Sequence, residues 1–109
     1  MMIATTPKPP YYAVIFTSIK TEDDRGYNVM SNKMIELAKQ QEGFLGMESA
    51  RNELGITVSY WENLDAIQHW KLNVDHTEAR ENGRSTWYQQ FKVRISKVER
   101  DYGFESTNL

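Results

Sequence analysis

The chain has 109 residues, with 13 basic and 15 acidic side chains, no cysteine and a formal net charge of -2. This length predicts one domain with one core, and the near-neutral charge excludes a strong electrostatic attraction to nucleic acid or an anionic membrane. The lack of cysteine excludes a disulfide framework, a thiolate zinc site and a cysteine nucleophile. No stretch approaches the roughly 20 apolar residues that span a bilayer, and the N-terminus lacks the apolar region of a signal peptide, so we expect a soluble, cytoplasmic domain.

The N-terminal part consists of a proline-rich segment followed by an apolar strand. Residues 1–10 hold three prolines, which cannot donate to a β-ladder, so we predict a flexible arm. Tyr11–Lys20 is dense in β-branched and aromatic residues and predicts the first strand. Both of its alternating faces are largely apolar, so we expect the sheet to be covered on both sides.

A helix and a β-hairpin are predicted next. Acidic and hydroxyl side chains at 21–24 favour a helix start, and apolar residues at helical spacing predict a helix over 25–41. Strands are predicted over 45–51 and 56–61. The turn at 52–55 contains a glycine and pairs these two strands antiparallel.

The remaining sequence predicts a broken helix and a long final strand. Asn63 is predicted to cap a helix whose apolar face includes Trp70. We expect a break near Asn73 and a short second helical segment that ends at the glycine at position 83. Residues 88–100 alternate between apolar and polar side chains and predict the last strand.

The order strand, helix, strand, strand, helix, strand predicts an α+β fold. Two β-α-β halves in a small chain are typical of the ferredoxin-like split βαβ sandwich, with a four-stranded antiparallel sheet and both helices on one face. The predicted domain covers 11–104, between the arm at 1–10 and a C-terminal tail at 105–109. Because no segment is left to cover the second sheet face, we expect a homodimer formed through that face.

Few residue patterns point directly to chemistry. His69 and His76 are the two histidines, and seven helical residues separate them by about 10 Å, which is too far for one zinc ion to bind both at about 2 Å. We therefore predict no metal site. His76 is the candidate for proton transfer, because imidazole titrates near neutrality; the alternative is a solvated helix residue. The glycines form no phosphate-binding loop, so flavin or nicotinamide binding lacks its usual signature.

Three segments resemble a known family. Gln41–Gly46 (QEGFLG), Ile56–Glu62 (ITVSYWE) and Ala66–Trp70 (AIQHW), followed by His76, are similar to the antibiotic biosynthesis monooxygenase (ABM) domain. The resemblance implies a dimeric α+β barrel with a pocket between sheet and helices in each subunit. Members include cofactor-independent oxygenases of aromatic polyketides and haem-degrading oxygenases.

From this resemblance we expect a small cofactor-independent monooxygenase that acts on a planar aromatic molecule. Without a cofactor, the substrate itself must supply the electrons. His76 is the expected catalytic base, and the expected substrate-binding residues come from the first strand and both helices: Trp70, Tyr27, Met30, Thr17 and Ser18.

Two alternatives stay open. The same cavity could belong to a non-catalytic ligand-binding or stress-response dimer, because fold does not determine function. The third option is a haem-binding or haem-degrading oxygenase, in which Trp70 matches a tryptophan of the haem-degrading members and His76 is a possible iron ligand. The first strand, however, has no counterpart of the asparagine that those members place there.

Overall fold

The first strand of the chain lies in the interior of the sheet. A computed structural model describes residues 2–23, 26–81 and 87–106, with the backbone alone for 77–81. The described elements follow the predicted order: β1 (Tyr11–Lys20), α1 (Tyr27–Gln40), β2 (Phe44–Arg51), β3 (Gly55–Trp61), α2 (Leu64–Glu81) and β4 (Tyr88–Val98). The strands form one antiparallel sheet in the order β2-β3-β1-β4. The predicted α+β, ferredoxin-like arrangement is therefore confirmed.

The register of β1 decides which side chains face the helices. Tyr12 lies opposite Trp61 of β3, and Ser18 lies opposite Gly55. Because side chains alternate along a strand, the even-numbered residues of β1 share one face of the sheet. Val14, on that side, packs with Ala38 of α1. We call this side the helix face and the opposite side, with the odd-numbered residues of β1, the open face.

The core is built around Trp61, whose side chain is completely buried. It packs with buried residues from β1, α1 and α2: Val14, Ala38, Ala66 and Ile67. The Phe44 ring meets Trp61 edge-on at a centroid distance of 5.4 Å, and the Trp70 ring lies 5.0 Å away. The Trp61 indole N–H donates to Ser59 Oγ at 2.9 Å, so burial leaves this donor satisfied. These contacts hold α2 against β3.

Helix α2 is continuous, so the predicted break near Asn73 is wrong. Asn73 Nδ2 donates to the backbone oxygen of His69, one turn earlier, at 3.0 Å. Lys71 and Asp75 form an ion pair at 2.7 Å with i,i+4 spacing. Asn73 and Asp75 therefore bond to residues of the same helix and do not mark the end of one helix and the start of another. The predicted end at residue 83 lies outside the described residues.

The two helices start in different ways. The backbone N–H of Ala66 donates to Asn63 Oδ1 at 2.8 Å, which confirms the predicted cap of α2. Helix α1 begins at Tyr27, after Gly26 in a left-handed conformation and without a side-chain cap, so the predicted start at 25 was too early.

Neither α1 nor α2, the helices in the described residues, has the length and apolar character needed to cross a membrane.

The N-terminal arm and Asp101, which follows β4, bond to side chains of the open face. The backbone N–H of Ala4 donates to the Glu48 carboxylate at 2.9 Å, and Thr6 Oγ1 donates to the Tyr11 hydroxyl at 3.1 Å. The Tyr11 hydroxyl in turn donates to the carboxylate of Asp101, which follows β4. The N-terminal arm is therefore bonded to β1 and β2. Strand β4 ends at Val98, slightly before the predicted boundary at 100.

Candidate active site

Five aromatic side chains meet on the helix face where β1 ends and α1 begins. We call them the aromatic cluster: Phe16, Tyr27, Trp87, Tyr88 and Phe91. The Phe16 ring stacks on Phe91 at 5.4 Å and meets Tyr88 edge-on at 5.4 Å. Tyr27 meets Trp87 and Tyr88 edge-on at 6.2 and 6.1 Å. Walls of this kind are typical of sites for flat, apolar ligands.

A cationic side chain lies next to this cluster. The Arg51 guanidinium, at the end of β2, donates to Oγ of Ser18, whose side chain is buried with 1% of its surface exposed. Arg51 pairs with Gly55, and Gly55 pairs with Ser18, so the three residues form one row across three strands. A Cβ at Gly55 would lie 2.2 Å from Cζ of Arg51. The long side chain can therefore cross β3 because the residue beneath it is a glycine.

The phenols of the cluster are polar groups in apolar surroundings. Burial raises the pKa of the Tyr88 hydroxyl well above its ordinary value, and a hydrogen bond with Tyr27 raises it further. The positive charge of Arg51 acts on the same pKa in the opposite direction. The Lys20 ammonium lies 4.5 Å from the centroid of the Tyr27 ring, a cation–π distance. At neutral pH, Tyr88 is therefore a protonated hydrogen-bond donor.

An apolar row on β4 extends the aromatic cluster along the sheet. Val93 lies opposite Phe16, and Ile95 lies opposite Val14, so both belong to the helix face. They nevertheless remain 46% and 52% exposed, because the helices lie over the other strands and leave β4 partly uncovered. Together with Phe91 they form an apolar surface beside the cluster, which we call the β4 row.

Trp70, a predicted site residue, lies in the core layer between sheet and α2. Its ring packs on Trp61 as part of the core, and its predicted role in substrate binding stays a prediction. Among the described side chains, its indole N–H is a buried donor without a hydrogen-bond partner. Such a group costs about 1–3 kcal/mol when it is left unsatisfied. A ligand oxygen that reached this nitrogen would remove that cost.

His76 lies elsewhere, in an open cleft between the end of α1 and the outer side of α2. The cleft has a volume of about 470 Å³ and is lined by six residues: Gln41, Glu42, His69, Leu72, Asn73 and His76. The His76 side chain is exposed. His76 follows Trp70 by six positions in the helix, so the two side chains point about 120° apart around the helix axis. The two residues therefore do not point into one pocket.

This geometry bears on metal and haem binding. No group of three or more histidine, aspartate or glutamate side chains converges on a metal-sized site within the described ranges. A haem site would need His76 as iron ligand with Trp70 beside the macrocycle. Because Trp70 packs on Trp61 in the core while His76 faces the external cleft, these residues do not fit a haem group.

The other predicted site residues separate into two groups. Tyr27 belongs to the aromatic cluster, and Ser18 accepts the bond from Arg51. Met30, on α1, is buried, so it fills space in the helix layer. Thr17 pairs with Ile56 and lies on the open face, because it neighbours Ser18 in a strand. The structure thus brings Tyr27 and Ser18 to the aromatic cluster but not Thr17.

Arg51, Phe16, Tyr88 and Phe91 are not among the site residues that the sequence predicted. One sequence signal was available for Arg51, since the hairpin turn places this long side chain opposite Gly55. The contact between Arg51 and Ser18, however, depends on the pairing of β1 with β3, and no local sequence pattern predicts that pairing.

The fold defines a class of protein, a ferredoxin-like α+β domain, here with an aromatic cluster on the helix face of its sheet. The chain is similar in structure to SnoaB, a cofactor-independent oxygenase from Streptomyces nogalater, with a TM-score of 0.65 and 8% identity over 90% of this chain and 100% of that one. It is also similar to a conserved protein from Methanosarcina mazei, with a TM-score of 0.64 and 12% identity over 84% and 94% of the two chains. At these identities the similarity shows the fold alone, and it confirms the fold expected for the ABM resemblance.

Sequence similarity identifies a much nearer relative. The chain is 51% identical to the uncharacterized protein YqjZ of Bacillus subtilis (strain 168) over 109 residues, covering 97% of this chain and 96% of that protein. The chain therefore belongs to the same family as YqjZ. No protein-family model matches the sequence.

Proposed function

We propose that the chain is a small cofactor-independent monooxygenase that oxidises a planar aromatic substrate bound at the aromatic cluster and the β4 row. The observation that carries this proposal is the apolar surface of Phe91, Val93 and Ile95, which stays exposed on the helix face beside stacked rings. A surface of this kind buries apolar area when a flat ligand covers it. The similarity to SnoaB supports the same reaction class.

The proposed chemistry needs no electron donor other than the substrate. A CH₂ group between two activating rings, as in an anthrone, loses a proton, and the resulting carbanion transfers electrons to O₂. A C–O bond forms, the O–O bond breaks, and one oxygen atom stays in the new carbonyl group while the other leaves as water. The two C–H bonds supply all four electrons, so CH₂ and O₂ give C=O and H₂O without a cofactor.

The residues at the site have distinct parts in this proposal. Phe16 and Phe91 hold the ring system by stacking. The Tyr88 hydroxyl, which is hydrogen-bonded with Tyr27, is a protonated polar group that a substrate oxygen can contact. The proton goes to solvent water at the open side of the site, because the charged side chains described beside the cluster, Lys20 and Arg51, are cations. Binding and orientation are then the main contributions of the protein.

Oxygen uptake with anthrone- and quinol-type substrates tests the proposal. We expect the wild type to consume O₂ and Phe91→Ala to lose most of this activity, because half of the stacked wall is removed. Leu64→Ala, another exposed apolar position, at the start of α2, is the matched control and should keep its activity. Tight binding of these compounds without oxygen uptake would contradict the proposal and favour a non-catalytic ligand-binding protein.

The same assay tests the sequence-based prediction that His76 is the base. Loss of a general base lowers the rate by about 10²–10⁴-fold. Because His76 lies in the external cleft, we expect His76→Ala to retain nearly full turnover with substrates bound at the aromatic cluster. A rate loss of the size expected for a base would instead place the reaction in that cleft.

We further propose a homodimer formed through the open face, in a cytoplasmic location. The open face carries exposed apolar side chains at Ile19 and Ile56, and Tyr102 and Phe104 in the segment after β4 are almost fully exposed. A second copy of the chain is a partner that would cover both the face and these aromatic side chains. Cell fractionation tests the location.

A further inference from the structure

Arg51 is a charged group for which the oxygenase proposal gives no role. Its guanidinium donates to Oγ of Ser18, but the side chain as a whole remains exposed. Within the described part of the chain, no carboxylate lies at ion-pair distance from it. A single serine uses one of the five N–H donors of a guanidinium. Among the described residues, Ser18 is the hydrogen-bond partner of this guanidinium, which leaves its other donors for a ligand on the helix face.

The sheet holds this cation in a defined place. The row of Arg51, Gly55 and Ser18 directs the side chain across β3 toward β1. The missing side chain at Gly55 provides the space, since any Cβ there would collide with the guanidinium carbon. An exposed arginine at a strand end would otherwise extend into water. Within the described ranges, its position is thus set by the strand pairing and the bond to Ser18.

The surroundings of Arg51 combine positive charge with aromatic rings. Its charge acts on the Tyr88 phenol, and Tyr88 is in contact with Phe16. Lys20 brings a second cation to the cluster, over the Tyr27 ring. A planar ring with one negatively charged oxygen group matches this combination, because its ring can stack while its anion meets the guanidinium.

We propose that Arg51 binds the anionic group of the substrate, so that the substrate class is an aromatic carboxylate or an aromatic molecule with an ionised enol oxygen. This inference rests on the proposed function for the location of the site and adds the charge of the ligand. A guanidinium that binds a carboxylate or enolate oxygen through paired N–H groups also orients the ring against Phe16 and Phe91. Arg51 is then a substrate-binding residue that also selects for charge.

The test compares two probes of nearly equal shape, 2-naphthoate and the neutral 2-naphthamide, by calorimetry or tryptophan fluorescence. We expect the wild type to bind 2-naphthoate about 10- to 100-fold more tightly than 2-naphthamide, the range for a charge-assisted hydrogen bond. Arg51→Gln should remove this preference, and Arg51→Lys should retain part of it, since a lysine keeps the charge without the planar fork. Added salt should weaken the preference.

Arg94→Gln is the matched control, because Arg94 pairs with Ile15 and so lies on the open face. It should leave the preference unchanged. Equal affinity for the two probes in the wild type, an undiminished preference in Arg51→Gln, or no measurable binding of either probe would overturn the proposal. If Arg51→Gln does not fold, the wild-type comparison and Arg51→Lys decide.

The proposal for Arg51 and the oxygenase proposal can fail independently of each other. A preference for 2-naphthoate that depends on Arg51, without oxygen uptake from any substrate, would support the ligand class and contradict the oxygenase. Oxygen uptake that is equal for charged and neutral substrates and unchanged in Arg51→Gln would support the oxygenase and contradict the role of Arg51.

Discussion

At the scale of single residues, the structure depends on a few close contacts that no substitution would preserve. Gly43, between α1 and β2, has a left-handed φ of 88°, and a Cβ there would lie 2.7 Å from Cβ of Ala66 in α2. The glycine thus permits both the turn and the approach of α2. Gly55 has a comparable role beneath Arg51.

Gly43→Ala is expected to lower the free energy of unfolding by about 2–4 kcal/mol, because backbone strain and overpacking add together. Denaturant unfolding measures this change. Gly103→Ala is the control, since a Cβ at Gly103 meets nothing within 4 Å, and its effect should stay within about 0.5 kcal/mol. Equal stabilities of the two variants would show that α2 does not pack against Gly43.

Tyr60 provides a residue-scale prediction about pH. Burial raises its pKa to about 12 from the ordinary 10.0, and the hydrogen bond that its hydroxyl donates to Glu48 at 2.6 Å raises it as well. Between these two pH values the unfolded chain has lost the phenol proton while the folded chain keeps it. The contribution of Tyr60 to stability is therefore complete below pH 10 and is lost as the pH rises to about 12.

Melting temperatures across the alkaline range check this prediction. The fall in melting temperature should be smaller in Tyr60→Phe than in the wild type, because the phenylalanine has no proton to lose. In Glu48→Gln the fall should be smaller and should end at a lower pH, since the carboxylate that helps to raise the folded-state pKa of Tyr60 is gone. An identical alkaline profile in wild type and Tyr60→Phe would contradict the assignment.

At the scale of elements, α2 illustrates how tertiary contacts override local signals. Asparagines occur both before the helix and within it, at 63 and 73, and either one could have marked a boundary. Asn63 caps the helix through the Ala66 N–H, whereas Asn73 bonds inside the helix and also reaches the Gln41 side chain at 3.5 Å. The packing of Ile67 and Trp70 on the core extends the helix past the second asparagine.

Replacing each of the two asparagines by alanine is therefore expected to change the free energy of unfolding in opposite directions. Asn63→Ala should lower the free energy of unfolding by about 1 kcal/mol, the usual cost of a lost cap. Asn73→Ala should raise it by about 0.5 kcal/mol, because alanine is the better helix former at an interior position. Thermal unfolding followed by circular dichroism measures both. Destabilisation by Asn73→Ala as large as that by Asn63→Ala would indicate a helix boundary at 73.

At the scale of the whole molecule, the sheet has two unequal faces. The helix face is packed by α1 and α2 around Trp61. The open face receives the N-terminal arm near Glu48 and Tyr11, while Ile19 and Ile56, toward the other end of the strands, remain exposed. This uneven cover is the reason for the proposed dimer.

Light scattering should return twice the mass of the chain at micromolar concentration. Replacing the exposed Tyr102 and Phe104 by serine is expected to shift the equilibrium toward the monomer, because these rings would lose their cover on the partner. Val29→Ser, an exposed apolar position on α1, should leave the dimer intact. A monomeric wild type would contradict the proposed dimer and leave the open face without a partner.

The elements of this fold follow from short-range patterns. The β-branched and aromatic content of Tyr11–Lys20 predicted β1 at its observed boundaries, and the cap at Asn63 followed from its position before an apolar helix. Such patterns depend on residues a few positions apart, so the sequence alone determines where strands and helices lie. The predicted order of these elements then led to the ferredoxin-like class.

The candidate site depends on contacts between distant residues, and only the tertiary structure decides them. Arg51 and Ser18 meet because β3 lies between β2 and β1 in one register. His76 and Trp70 share a helix but not a pocket, because the core fixes the rotation of α2 about its axis. A shift of one residue in a strand, or of a third of a turn in a helix, changes every neighbour. The sequence therefore determined the elements, and packing among them decided which side chains meet.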